Sequence, residues 1–252
     1  MDSNLYNMIF KRVSFHNFNG TGNEKITDEE IENIKAAWNN FTPLYDDIKT
    51  CIKIVKGEET SCKAGEEYCV LIYSEKKNGY LQNVGYIGEQ LDLYLAKNNT
   101  GSCWYGLGKT EEKNLNDMEF VIMFAIRKVS DESKYRKNLE KIKRKSQEDI
   151  WKGESIKGVT DIVRLAPSAV NTQPWIVEND GTLNVYRNKK NGLIGLISAK
   201  VSSYFNIIDI GIFLCYLELS LQHEGIKYTR ELFDDEEKDK NLLLNARYKI
   251  LS

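Results

Sequence analysis

Residues 166–177 read APSAVNTQPWIV, and they concentrate hydrogen-bonding chemistry in one place. Two of the chain's three prolines flank Ser168, Asn171, Thr172 and Gln173, between the apolar lead-in DIVRLA and the apolar pair Ile176-Val177. Amide and hydroxyl side chains offer both donors and acceptors. Read locally, the segment is a turn in which Asn171 and Gln173 satisfy neighbouring backbone groups. A second polar cluster, KRVSFHNF at 11–18, carries Arg12, Ser14 and His16. A guanidinium beside a hydroxyl suits an anion; by itself, Arg12 is a surface arginine near a helix start. KYRK at 134–137 adds Lys134 and Arg136, within a basic run to Lys145 whose plainest reading is a solvated helix face. Cys103, in GSCWYGLG, is a nucleophile by type, yet no partner base is in view, and a buried cysteine is usually inert packing.

Other chemistries find no support in the residues. There is no Ser-His-Asp set and no glycine-rich phosphate loop of Walker type. Cys62 and Cys69 lack Cys-x-x-Cys spacing, and His16 and His223 are the only imidazoles, so no metal site is expected. An odd count of five cysteines points to reduced thiols in a cytoplasmic protein. A net charge of −2 with mixed signs excludes an electrostatic footprint for nucleic acid. No signal peptide and no apolar run of membrane-spanning length are expected.

The elements that must position these residues are periodic. TDEEIENIKAAW (27–38) predicts a helix, with Thr27 or Asp28 as cap and acids in its first turn. EYCVLIYS (67–74) and EFVIMFAIRKV (119–129) predict buried strands, and NVGYIGEQLDLYLAKNNTG (83–101) a helix that Gly101 ends. After a lysine-rich connection, SIKGVTDIVRLA (155–166) predicts a helix. WIVEND and GTLNVYRN (175–188) predict two strands turning at Asp180-Gly181. NIIDIGIFLCYLELSLQHEG (206–225) predicts a long apolar helix, and ARYKIL (246–251) a last strand. NVGYIG (83–88) and NIIDIG (206–211) share Asn-x-x-x-Ile-Gly, with Leu91 and Leu214 at the same later offset. The repeated mark, with the parallel order of elements, predicts a duplicated α+β unit that imitates a homodimer within one chain.

Pro167, Ser168, Asn171, Gln173, Pro174 and Trp175 together resemble the Pro-Ser-x-x-Asn-x-Gln-Pro-Trp motif of the flavin-dependent nitroreductase superfamily. KRVSFHNF is similar to that family's Lys-Arg-x-Ser-x-(Arg/Lys)-x-Phe motif, with His16 in place of the usual cation. GYIGEQLDLYLAKNNTGSCWYG (85–106) resembles its central helix and flavin-side loop, and KYRK its late Lys-x-Arg. The first half lacks a second Pro-Ser motif at WNNFTPLYDD (38–47), and the second lacks a second Arg-x-Ser at SQEDIWKG (146–153). The resemblance therefore implies a fused, single-chain version of the fold with one complete and one degenerate flavin site. Its expected form is α+β, with mainly antiparallel sheets flanked by helices, residues 1–150 as the first nitroreductase-like half and 151–252 as the second.

FMN is the cofactor this implies. Arg12, Ser14, Lys134 and Arg136 would hold its phosphate. Pro167, Ser168, Ala169 and Asn171 would line the ring, where proline leaves no unpaired N–H against a flat surface. His16 would approach the N1–O2 side, and Gly106 would present its amide to N5, with Trp104 and Tyr105 beside the ring or in the core. The implied activity is hydride transfer from NAD(P)H through FMN to a nitroaromatic, a quinone or a similar acceptor, with no protein residue as the catalyst. The two alternatives are an FMN protein without general reductase activity and a cofactor-free interaction module. A monomer is expected, since pairing is internal.

Overall fold

The structure, a computed structural model, describes residues 1–139, 142–189 and 199–251. The chain divides into two compact units that do not follow a single cut. The N-terminal unit is Asn7–Tyr80 with Ile87–Glu140, and the C-terminal unit is Met1–Tyr6, Leu81–Tyr86 and Lys141–Ser252.

In the N-terminal unit a short helix α1 (Met8–Lys11) precedes α2 (Asp28–Asn40). Thr27 caps α2 as the sequence requires: its Oγ1 accepts from Glu30 N at 3.2 Å, while Glu30 Oε2 accepts from Thr27 N at 2.9 Å. Strands β1 (Thr50–Lys56) and β2 (Tyr68–Ser74) lead to α3 (Tyr80–Lys97), then β3 (Thr100–Tyr105), β4 (Asn114–Leu115) and β5 (Met118–Lys128). They form one antiparallel sheet of order β1-β2-β5-β3, with β4 also on β5. The helix α3 does not run to Gly101. It stops at Asn98, and Asn99 takes the left-handed conformation at φ 54°, a role asparagine fills almost as glycine does. Gly101 lies instead in β3, where a Cβ would come within 2.9 Å of Phe15.

The C-terminal unit contains α4 (Gln147–Ile150), β6 (Trp151–Gly153), α5 (Thr160–Val163), β7 (Trp175–Asn179), β8 (Thr182–Asn188), α6 (Ala199–His223), β9 (Tyr228–Glu237) and β10 (Leu242–Ile250). Its sheet runs β6-β7-β8-β10-β9, antiparallel except for the β6–β7 pair. The expected helix over 155–166 shrinks to the single turn of α5, because Gly158 takes φ +75° just ahead of it. Leaving aside β4 and β6, both sheets share one connectivity: two neighbouring strands, a long helix, then two strands of which the last returns beside the second. The marked helices α3 and α6 occupy the same place in each.

Within the C-terminal unit the 81–86 turn of α3 meets α6 backbone to backbone. A Cβ on Gly85 would lie 2.0 Å from Ile208 O, and one on Gly211 2.0 Å from Gln82 O. By length and composition the stretch Val201–His223 of α6 is apolar enough to cross a membrane, contrary to the reading of the sequence. It is largely buried in the fold, as a helix that is apolar on every side requires. Its acids have protein partners: Glu218 accepts from Tyr86 and Tyr248 hydroxyls, each at 2.7 Å, and from Arg230 at 2.6 Å.

Candidate functional site

The eight candidates in the N-terminal unit gather around the segment 11–18, the second half of α3 and the edge strand β3. Arg12 ends α1, its N–H donating to Met8 O at 2.8 Å, and its guanidinium turns inward. Nη2 donates to Ser14 Oγ at 2.8 Å, and Nε lies 2.9 Å from Asp92 Oδ2 on α3, with both ionic side chains buried. Ser14 is fixed beside β3 by a bridge to Ser102, and Phe15 N donates to Ser102 O at 2.9 Å. The hydroxyl of Ser102 donates to the other oxygen of Asp92. Arg12 is thus not a surface arginine, since Asp92 neutralises it inside the fold.

The KYRK segment reaches the same neighbourhood. Arg136 donates from its backbone to Lys11 O and from Nη1 to Ile9 O, each at 3.0 Å, placing a cation at the C-terminal end of α1. Between the two cations, Tyr135 is buried edge-on against Phe15, at 5.5 Å between ring centroids, with Lys11 Nζ 4.7 Å above its ring. Burial, with Asp92 and Glu132 nearby, pushes the Tyr135 phenol well above its ordinary range. Lys134 is exposed, and its amine lies over Gly20, where a Cβ would approach Nζ to 3.0 Å.

Strand β3 carries the remaining candidates. His16 is exposed, and its Nδ1 is 3.7 Å from Cys103 Sγ, so the fold supplies the imidazole that the linear sequence did not show beside this thiol. The pair is not an activated nucleophile, because burial and then Asp92 push the thiol up to about 11, against a smaller opposing effect of Arg12. Trp104 is half-buried. Its Nε1 donates to Glu89 Oε2 at 3.2 Å, and its ring packs on Phe124 at 4.2 Å. Tyr105 ends the strand, and Gly106 follows in a turn closed by Gly108 N on Tyr105 O at 3.3 Å. The region expected as a close-approach loop is therefore strand up to Tyr105 and turn from Gly106 onward.

Pro167, Ser168, Ala169 and Asn171 belong to the C-terminal unit. There the loop is held from within. Ser168 Oγ accepts from Gln173 N at 2.9 Å, and Ala169 N donates to Asp209 Oδ1 of α6 at 2.9 Å. Thr172 Oγ1 is 3.3 Å from Asn206 Oδ1. The Asn-x-x-x-Ile-Gly mark therefore places Asn206 and Asp209 directly under the loop. Burial pushes Asp209 up to about 8, partly offset by its bonds to Ala169 and Thr172.

The basic run is not a solvated helix face: residues 135–139 and 142–146 contain no helix, and two of its cations hold this loop. Arg144 Nη1 donates to Asn171 Oδ1 at 2.8 Å, while Asn171 Nδ2 donates to Lys143 O at 3.1 Å. Lys145 N donates to Gln173 Oε1, and Lys145 Nζ to Gln173 O, each at 2.8 Å. Asn171 and Gln173 thus do the local work that a turn demands, as their types allow. Val170, Asn171 and Gln173 all take the left-handed conformation, at φ 49°, 57° and 48°. For Val170, β-branched and exposed, this is strained backbone.

Sequence reasoning missed Asp92, Ser102, Asp209 and Arg144. Asp92 had one usable signal: with Glu89 it is one of two acids in the mostly apolar helix α3.

No curated protein matches the chain. Solved structures do match at low identity, among them these three. A structure from Thermotoga maritima described as a "putative nitroreductase" has a TM-score of 0.61 at 16% identity, over 98% of this chain and 93% of its own. A structure from Parabacteroides distasonis described as a "Putative NADH dehydrogenase/NAD(P)H nitroreductase" has a TM-score of 0.42 at 12% identity, over 57% of this chain and 98% of its own. A nitroreductase family protein from Clostridium novyi has a TM-score of 0.36 at 16% identity, over 52% and 87%. The first shares the fold along almost its full length. The family model described as "Putative TM nitroreductase" matches residues 4–221, which take in the KRVS segment, α3, KYRK and the Pro-Ser loop, and the chain belongs to that nitroreductase family.

Proposed function

We propose that this chain is an FMN-dependent NAD(P)H oxidoreductase that delivers reducing equivalents to a nitroaromatic, a quinone or a similar acceptor. The observation that carries the reading is the convergence of Arg12, Ser14 and Arg136 on the end of α1, in a member of this family. Bound FMN would supply the hydride chemistry. The protein's part is to bind, orient and exclude water.

The donor set fits a phosphate, with one change of role. Asp92 cancels the charge of Arg12, so Arg12 acts as a positioning residue: it fixes Ser14 Oγ, which accepts that bond and keeps its own O–H to donate. Net positive charge then comes from Lys134 and Arg136. Ring-side contacts fall to Pro167, Ser168 and the strained backbone at Ala169–Asn171, since the Asn171 amide is engaged by Arg144 and Lys143. Gly106, in its turn, is the candidate for N5, and His16 for the N1–O2 side.

The shared strand order of the two sheets supports reading the chain as two copies of one unit, a single-chain pseudo-dimer with one complete flavin site and one degenerate one. That reading makes a monomer the expected state. Five free thiols suit a reducing, cytoplasmic setting.

The neutralised Arg12 also favours a narrower reading, an FMN-binding protein without general reductase activity. Anaerobic mixing separates the two. Bleaching of bound flavin by NADH or NADPH, followed by recovery on adding menadione or nitrofurazone, supports the oxidoreductase. Bound flavin that neither nucleotide bleaches supports the narrower function.

A further inference from the structure

We propose that Cys62, Glu66 and Cys69 form a binding site for a thiophilic divalent cation of the zinc class, within the N-terminal unit and apart from the flavin candidates. One ligand atom from each of the three residues lies within 4.8 Å of the others. Linear spacing hid this, because Cys62 and Glu66 sit in the connection between β1 and β2 while Cys69 lies on β2 itself. Tetrahedral zinc with bonds of about 2.3 Å sets its sulfurs roughly 3.8 Å apart, so closure onto an ion needs a contraction of at most about 1 Å.

The loop is built to hold this shape. Gly57 N donates to Glu67 O at 3.1 Å, and Ser61 N to Lys109 O at 3.0 Å. Cys62 N donates to Thr60 Oγ1 at 3.1 Å. The Glu66 carboxylate is folded inward, where Oε2 accepts from Ala64 N at 2.8 Å. Gly57 leaves the space it needs: a Cβ there would lie 2.7 Å from Glu66 Oε1. An acid turned inward onto two buried thiols, over a glycine that makes room for it, is more than thiol packing requires.

The chemistry is matched to a soft cation. Two thiolates and a carboxylate select zinc, cadmium or cobalt over magnesium or calcium. A water would complete the tetrahedron, as it does in zinc sites with three protein ligands. A free thiol is mostly protonated at neutral pH, and a metal-bound one is not. Binding therefore exchanges two thiol protons for one divalent ion, with no change of oxidation state.

The test uses the full chain, reduced and stripped by chelator, titrated with Co²⁺ while sulfur-to-cobalt charge-transfer absorption is read. The expected result is saturation at about one ion per chain, reversed by Zn²⁺. The band is lost in Cys62→Ser and Cys69→Ser and unchanged in Cys103→Ser. Glu66→Gln, on a half-exposed side chain that can be replaced without a core defect, weakens Co²⁺ binding by at least about tenfold. Absence of the band in the reduced wild-type chain overturns the proposal. So does a band that survives in both serine variants, or Co²⁺ affinity unchanged by Glu66→Gln.

Discussion

Arg12 and Asp92 form an ion pair inside the N-terminal unit, 2.9 Å apart, with side chains 2% and 1% exposed. Neither charge can be removed alone without stranding the other in a poorly solvated place. Arg12→Ala is therefore expected to cost about 3–5 kcal/mol. The double replacement Arg12→Met with Asp92→Leu is expected to recover most of that loss, because it removes both desolvation penalties. Urea unfolding of the three proteins checks this. Near-neutral behaviour of Arg12→Ala would show that the pair is not what organises the KRVS segment.

Asp209 links the Pro-Ser loop to pH. Its folded value is raised to about 8 by burial, while the unfolded carboxyl titrates near its ordinary 3.8. Between these values the folded state holds a proton that the unfolded state has lost. The contribution is whole below about pH 4 and is lost as pH rises through about 8, at up to about 1.4 kcal/mol per unit. Asp209→Asn keeps an acceptor for Ala169 N and removes the titration. Subtracting its urea stability from that of wild type, pH by pH, should leave a slope across pH 5–8. A flat difference would contradict the assignment.

Val170 is exposed and holds φ 49°, so it has little packing to lose and strain to release. Val170→Gly is expected to stabilise the chain by about 1 kcal/mol, where glycine in a relaxed loop would destabilise it. Thermal unfolding reads the sign. If the strain serves the flavin-side surface, the same change weakens FMN binding while raising stability.

Glu218 gathers Tyr86, Tyr248 and Arg230 within the C-terminal unit, with Tyr228 also bonded to it. Tyr248→Phe removes one of these donors and is expected to cost about 1–2 kcal/mol. Glu218→Ala removes the acceptor they share and is expected to cost about 3–5 kcal/mol. Equal effects in denaturant titrations would mean that Glu218 is not what holds the cluster together.

The strands that were legible in the sequence are the interior ones. β2, β5, β7, β8 and β10 each have sheet neighbours on both sides, and most of their residues are apolar. β1, β3, β4, β6 and β9 escaped detection, and each pairs with a neighbour on one side only. An edge strand is kept from pairing with other chains by charge and by brevity, which erase the periodic signal. β9, with YTRELFDDEE, is the plainest case, and three-residue β6 is the shortest. The site divides along a similar line. Arg12, Ser14 and the Pro-Ser loop were visible as motifs, because their spacing is local. Asp92, Asp209, the His16–Cys103 contact and the Cys62–Glu66–Cys69 cluster were not, since each pairs residues that only the tertiary fold brings together. Arg144 and Lys145 were misread as solvent-facing cations, because a hydrogen bond to a distant loop leaves no trace in charge pattern.

Equilibrium binding of FMN to the purified chain decides whether it is a flavoprotein. The expected protein is yellow, or turns yellow on adding FMN, and saturates at about one flavin per chain. Lys134→Ala and Ser14→Ala should each weaken that binding while leaving the fold intact, as judged by circular dichroism. A folded, colourless protein that quenches no flavin fluorescence at any FMN concentration would contradict the proposed function, and saturation at about two flavins per chain would contradict the single complete site.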